Sequence, residues 1–106
     1  MQNNSTKTSA LNKIRSSYSP KPEPIIYSEA EVQQSVINYY ERAGWLVVKI
    51  IQTTLNGWPD IQCMKRGVTL YIECKATGKK PEPLQLYRHK QLREQGCEVL
   101  VIDTKI

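Results

Sequence analysis

No apolar run in these 106 residues approaches the roughly 20 that a membrane-spanning helix needs, so no membrane role is expected. Cysteine is scarce. Cys63, Cys74 and Cys97 are too few and too far apart for a zinc module. Their odd number, and the lack of a signal-peptide pattern, point to a reducing compartment and hence to the cytoplasm. Histidine occurs once, as His89, among Arg88, Lys90 and Arg93. In that company a solvated or phosphate-contacting face is expected for it rather than catalysis. No internal repeat is visible.

What is present fits one small domain. Hydrophobic residues make up 40% of the chain, enough for a modest core. The net charge is +5 and the isoelectric point about 9.2. Such a balance favours an anionic partner without choosing between nucleic acid and membrane. The charge is also unevenly placed. Lys7, Lys13, Arg15 and Lys21 against Glu23 alone supply +3 of it within residues 1–24. That stretch is rich in Ser, Asn, Lys and Pro, and reads as a flexible basic arm. It is either a terminus without a role or a weak DNA-contacting segment.

From residue 25 the pattern becomes regular, and 25–106 reads as the folded domain. Val32, Val36, Tyr39, Tyr40 and Ala43 follow helical spacing, with Ser28 as N-cap, Glu31 as its capping-box partner and Gly44 as the stop. "WLVVKII" reads as a buried strand, and "QTTLNGWP" as a loop. A hairpin follows, with strands Asp60–Met64 and Thr69–Lys75 around "KRGV". "LQLYRHKQLREQG" reads as a second helix and "EVLVIDT" as a last strand. The order predicts an α/β fold, a mixed sheet with helices packed on it.

The hairpin carries charge where a half-buried strand can least afford it. Alternation puts Thr69, Tyr71, Glu73 and Lys75 on one face, with Leu70, Ile72 and Cys74 on the other. Asp60, Gln62 and Met64 share a face of the partner strand, opposite Ile61 and Cys63. If the two polar faces coincide, Asp60, Glu73 and Lys75 converge. Adjacent carboxylates repel unless a cation lies between them, and Mg2+ takes one or two protein carboxylates with water and phosphate. Lys75 could then hold an attacking hydroxide or neutralise a pentavalent phosphate. Spacing alone favours the plainer reading, a surface Glu73–Lys75 pair with Asp60 as a turn residue after Pro59, since a lone E-x-K is common. Cys63 and Cys74 read as small core residues. Tyr39, Tyr40 and Tyr71 read as packing.

"GWPD", then "LYIECKATGKKPEPLQLYRHKQLREQGCEVLVID", preceded by "SEAEVQQSVINYYERAGWLVVKI", resembles the VRR-NUC branch of the PD-(D/E)XK nucleases, in its small stand-alone phage and bacterial form. The resemblance covers about residues 29–103 and implies a restriction-endonuclease-like core. It implies that Asp60 and Glu73 are metal-binding acids, that Lys75 is the catalytic lysine, and that Gln85 faces the site. It also makes the Cys74 backbone carbonyl, not its sulfur, a metal ligand. On the first helix Glu29 and Gln33 share a face toward the site. Gln33 departs from relatives that carry Glu there, and only Glu29 could be a charged ligand. Trp58 replaces a small apolar residue, and is expected to pack on the loop or touch DNA.

The implied activity is Mg2+- or Mn2+-dependent hydrolysis of DNA phosphodiesters. Lys49, Lys79, Lys80 and Arg88 are candidate phosphate contacts, Lys49 foremost. The resemblance further implies a homodimer and branched substrates such as four-way junctions, and for a phage-borne member the host cytoplasm. A non-cleaving nucleic-acid-binding accessory protein of the same fold is the alternative. Asp60, Glu73 and Lys75 together favour the enzyme, since acids facing a polyanion without a metal would weaken binding.

Overall fold

The structure is a computed structural model that describes residue 23 and residues 25–106. The arm expected over residues 1–24 therefore lies outside the described residues, Glu23 apart. Six elements follow in chain order. They are α1 (Glu29–Arg42), β1 (Leu46–Lys49), β2 (Ile61–Lys65), β3 (Val68–Cys74), α2 (Pro83–Glu94) and β4 (Glu98–Ile102). This is the expected order of helix, three strands, helix and strand. No helix among the described residues is long and apolar enough to cross a membrane.

The four strands form one sheet in the order β1-β2-β3-β4. β1, β2 and β3 are an antiparallel meander, and β4 returns parallel to β3 through α2. The β2–β3 turn is two residues long. Arg66 and Gly67 both have positive φ, 48° and 82°, as the tight hairpin turns matched to strand twist require. The turn fixes the register, pairing Ile61 with Ile72 and Cys63 with Leu70.

α1 starts where its cap predicts, the Ser28 hydroxyl accepting from the Glu31 N–H at 3.2 Å. Val32 and Val36, four apart, are buried against Ile61, Cys63, Leu70, Ile72 and Cys74, with Ile37, Tyr40 and Val47 around them. Fully burying one such aliphatic side chain is worth roughly 1.5–3 kcal/mol, so this layer holds α1 to the sheet. Tyr39, expected to pack, is 48% exposed and lies edge-on to Tyr40.

The first strand corrects its expectation. β1 spans only Leu46–Lys49, and three of its four residues are exposed. It lies at a sheet edge, paired to β2 alone, and only its Val47 face meets α1. Leu46 and Val48 point to the other face, where no helix covers them. An apolar run does not say how many of its faces are covered.

The loop between β1 and β2 is held from two sides. The Ile50 N–H donates to the Asp60 carbonyl at 2.7 Å, and the Arg88 Nε on α2 donates to the Asn56 carbonyl at 2.8 Å. Gly57 lies between, with φ +80°, and a Cβ there would come within 2.9 Å of Leu84 Cγ and 3.1 Å of the Leu84 backbone. Any side chain at 57 meets both a disfavoured backbone conformation and the start of α2. Gly57→Ala is expected to lower stability by about 1–3 kcal/mol, read as a shift of the urea midpoint against wild type. An unchanged midpoint would show that the loop yields freely.

Candidate active site

The hairpin register determines who meets whom. Extending Ile61↔Ile72 by one residue sets Asp60 across from Glu73, and by two sets Pro59 across from Cys74. Along an antiparallel pair, hydrogen-bonded and non-hydrogen-bonded positions alternate. Asp60 directs its carbonyl to β1, so Cys74 would next exchange bonds with residue 59. Pro59 has no N–H to give. The Cys74 N–H is taken instead by Asp60 Oδ2, at 2.8 Å. The proline thus removes the donor that would seal the Cys74 carbonyl, and the aspartate fills the vacant ladder position with a carboxylate. The Cys74 side chain turns the other way into the core, 0% exposed. Burial first, then the neighbouring acids, push its thiol up to about 12, so the sulfur stays protonated.

Glu73 is less open than alternation suggested. Its face is the polar one, yet it is 1% exposed because α2 lies over it. Gln85 Nε2 donates to Glu73 Oε2 at 3.3 Å. Gln85 is itself fixed, its Oε1 accepting from the Glu82 N–H at 2.8 Å at the start of α2. His89, one turn on, places Nε2 3.1 Å from Glu73 Oε1 and is also 1% exposed. The solvated face expected for His89 is therefore corrected. Gln85, His89 and Leu92 follow helical spacing, so His89 faces the sheet while Lys90 faces solvent and Arg88 turns to the loop before Asp60. The sequence carries a signal for this, since His89 stands four residues after Gln85, which is expected to face the site.

The other candidates are placed as follows. Lys75, half-buried, follows Glu73 by two residues on the same strand face, its N–H donating to the Ile102 carbonyl at 3.0 Å. Glu29 is exposed at the start of α1, close enough to act electrostatically on Glu73 and Cys74. Tyr27 and Thr77 exchange hydrogen bonds at 2.9 and 3.0 Å, which ties the start of α1 to the loop after β3. Gln33 is half-buried one turn beyond Glu29. Lys49, Lys79 and Lys80 are exposed. Arg88 gives donors to the Asn56 carbonyl and to Gln91 Oε1, so it braces the loop before Asp60. Trp58 stacks edge-on to Tyr71 with centroids 5.8 Å apart. Among the described residues no three His, Cys, Asp or Glu side chains are gathered tightly enough to hold a metal by themselves. Asp60, Glu73 and the Cys74 carbonyl are the available donor set, two acids and a backbone oxygen. Such oxygen donors fit a hard divalent cation that keeps several waters.

Charge at the pair is strained. Burial, then the hydrogen bond and the charge of Asp60, then Glu29, push the Glu73 carboxyl up from 4.5 to about 8, against a lowering by Lys75. His89 is held below its usual value by burial and by Arg93 and Lys75, against a raising by Asp60. Glu73 and His89 therefore meet near neutrality as a hydrogen bond between uncharged groups, not as an ion pair. The folded state favours protonated Glu73, so its contribution to stability is full below about 4.5 and is lost as pH rises through about 8. Urea unfolding of metal-free protein is expected to give falling stability across that window, and Glu73→Gln to flatten the fall. An equal slope in the variant would place the titration elsewhere.

The comparisons agree with this geometry. No family model matches the chain. A phage protein named "Putative nuclease p44", from Acyrthosiphon pisum secondary endosymbiont phage 1, is 30% identical over 78 residues, covering 73% of this chain and 84% of that protein. A solved structure described as a VRR_NUC domain matches with a TM-score of 0.63 and 28% identity, over 74% of this chain and 87% of that one. With that shared sequence, the same fold and an Asp–Glu–Lys set on one hairpin, the chain belongs to the VRR-NUC family.

Proposed function

We propose that this protein is a Mg2+- or Mn2+-dependent DNA endonuclease. The observation that carries the reading is the Asp60–Glu73 pair: two carboxyl groups set side by side, one of them buried, with Lys75 on the same strand. A fold gains nothing in stability from such a pair, whereas a divalent cation relieves its repulsion. Asp60, Glu73 and the Cys74 carbonyl would hold the ion. When bound, it supplies positive charge against a phosphate oxygen and makes water a better nucleophile.

The chain's own residues do the rest. Gln85 and His89 fix the Glu73 rotamer from α2, and the Cys74 N–H fixes Asp60. Lys75, on the same strand face as Glu73, would hold the attacking water with its ammonium group and offset charge building on phosphorus. Attack by water forms one P–O bond as the bond to the departing oxygen breaks; the water gives up one proton to solvent, and the departing oxygen takes one from solvent. Glu29, exposed at the start of α1, would add negative charge to hold the cation. Lys49, Lys79 and Lys80 lie exposed for phosphate contacts.

Purified protein is expected to cut DNA with Mg2+ and not with chelator. Asp60→Asn and Glu73→Gln should each lower the rate by more than about 10²-fold through loss of the cation, as should Lys75→Ala with Mg2+ binding retained. Cation-dependent cutting by the Asp60/Glu73 double variant would sink the assignment, and binding without cutting by wild type would favour an accessory protein.

The active unit is proposed to be a homodimer acting on branched DNA. One site nicks one strand, and paired nicks across a junction need two sites related by a twofold axis. Leu46 and Val48, 63% and 39% exposed at the β1 edge of the sheet, beyond the part that α2 covers, support a self-association surface. Light scattering at working concentration should give twice the chain mass, and four-way junctions should be cut faster than plain duplex. A monomer with and without DNA would remove the dimer, and equal rates would remove the junction preference.

A further inference from the structure

We infer that His89 is a positioning residue for the cation site, its Nε2–H holding Oε1 of Glu73 while Gln85 holds Oε2. The inference rests on the metal-dependent reading above and adds to it a residue that the hairpin signature does not contain. Both Glu73 oxygens are engaged from α2, at 3.1 and 3.3 Å. Each carboxylate oxygen has two acceptor sites, so a clamp from the helix side leaves one on each for an ion.

The tautomer follows from the other nitrogen. His89 Nδ1 is buried and has no hydrogen-bond partner among the described residues. A buried N–H without an acceptor is costly and rare, whereas a bare acceptor nitrogen is better tolerated. The proton of the neutral ring is thus placed on Nε2, facing Glu73. An imidazole with one orphaned nitrogen is a poor choice for stability at a buried position, where an aliphatic side chain would leave no unsatisfied ring nitrogen. The ring earns its place by what it does to Glu73. As a neutral donor it fixes the carboxylate without cancelling the charge that a cation needs. A hydrogen-bond partner behind a metal ligand commonly has this effect.

Two variants separate positioning from packing. His89→Gln carries an amide Nε2 near the position of the imidazole Nε2 and keeps the donor. His89→Leu fills the slot and removes it. Mg2+ alone is the probe, read as the metal-induced rise in melting temperature, with the Mg2+ titration of DNA cleavage beside it. His89→Leu should need about 10–100-fold more Mg2+ for half-effect, while His89→Gln stays within about threefold of wild type. An unchanged His89→Leu titration, or equal losses in both variants, would overturn the inference. Nitrogen-15 NMR of the single histidine in Mg2+-loaded wild type decides the matter even if the leucine variant does not fold. A neutral ring protonated at Nε2 supports it, and a ring protonated at Nδ1 or at both nitrogens overturns it. Wild type that neither responds to Mg2+ nor cuts would remove the nuclease reading itself. Wild type that does both, beside an unaltered leucine variant, would remove only the role of His89.

Discussion

Glu73 lies out of water with Asp60 beside it, and neighbouring elements are arranged to keep it there. A buried carboxyl next to a second acid opposes folding unless it keeps a proton or meets a cation. The hairpin turn at Arg66–Gly67 fixes the register that brings the two acids together. Pro59 opens the ladder at Cys74, and Asp60 takes the N–H left over. α2 covers the pair, with Gln85 and His89 reaching down. Gly57 lets the loop before Asp60 lie against the start of that helix.

These parts act on each other through geometry rather than through net charge. The folded residues are close to electrically balanced, so little long-range attraction to a polyanion comes from them. Local charge at the site is acidic, and a phosphate would approach it only with a cation in place. In the proposed mechanism binding and chemistry are linked, since without a cation the Asp60 carboxylate would repel a phosphate at the point where it must react.

Much of this was legible in the sequence, because a strand's period of two states which residues share a face. It groups Asp60, Glu73 and Lys75 and sends Cys63 and Cys74 to the core, where they lie. The capped start of α1 was equally readable, since Ser28 and the Val32–Val36 spacing both act within one or two turns. What depended on coverage was not readable. The apolar run from Trp45 to Ile51 looked buried, yet β1 is an edge strand whose second face has no layer over it. Conversely, the polar face of β3 looked solvent-facing at Glu73, yet α2 folds over it. The basic residues beside His89 in sequence point to a solvated face, whereas its partner in space is Glu73 on β3, and the residues on its own face of α2, Gln85 and Leu92, lie one helical turn away on either side. Pattern reports a residue's direction, and only tertiary packing reports what lies in that direction.

The proposed cation site can be tested without any DNA. If Glu73 holds a proton near neutrality in the absence of metal, a divalent ion that binds the pair must displace it. Calorimetric titration with Mn2+ at pH 7, repeated in buffers of different ionisation enthalpy, counts that proton. Release of about one proton per ion bound, lost in Glu73→Gln, is the expected result. Binding with no proton release, or undiminished binding to the Asp60/Glu73 double variant, would contradict a cation site at this pair.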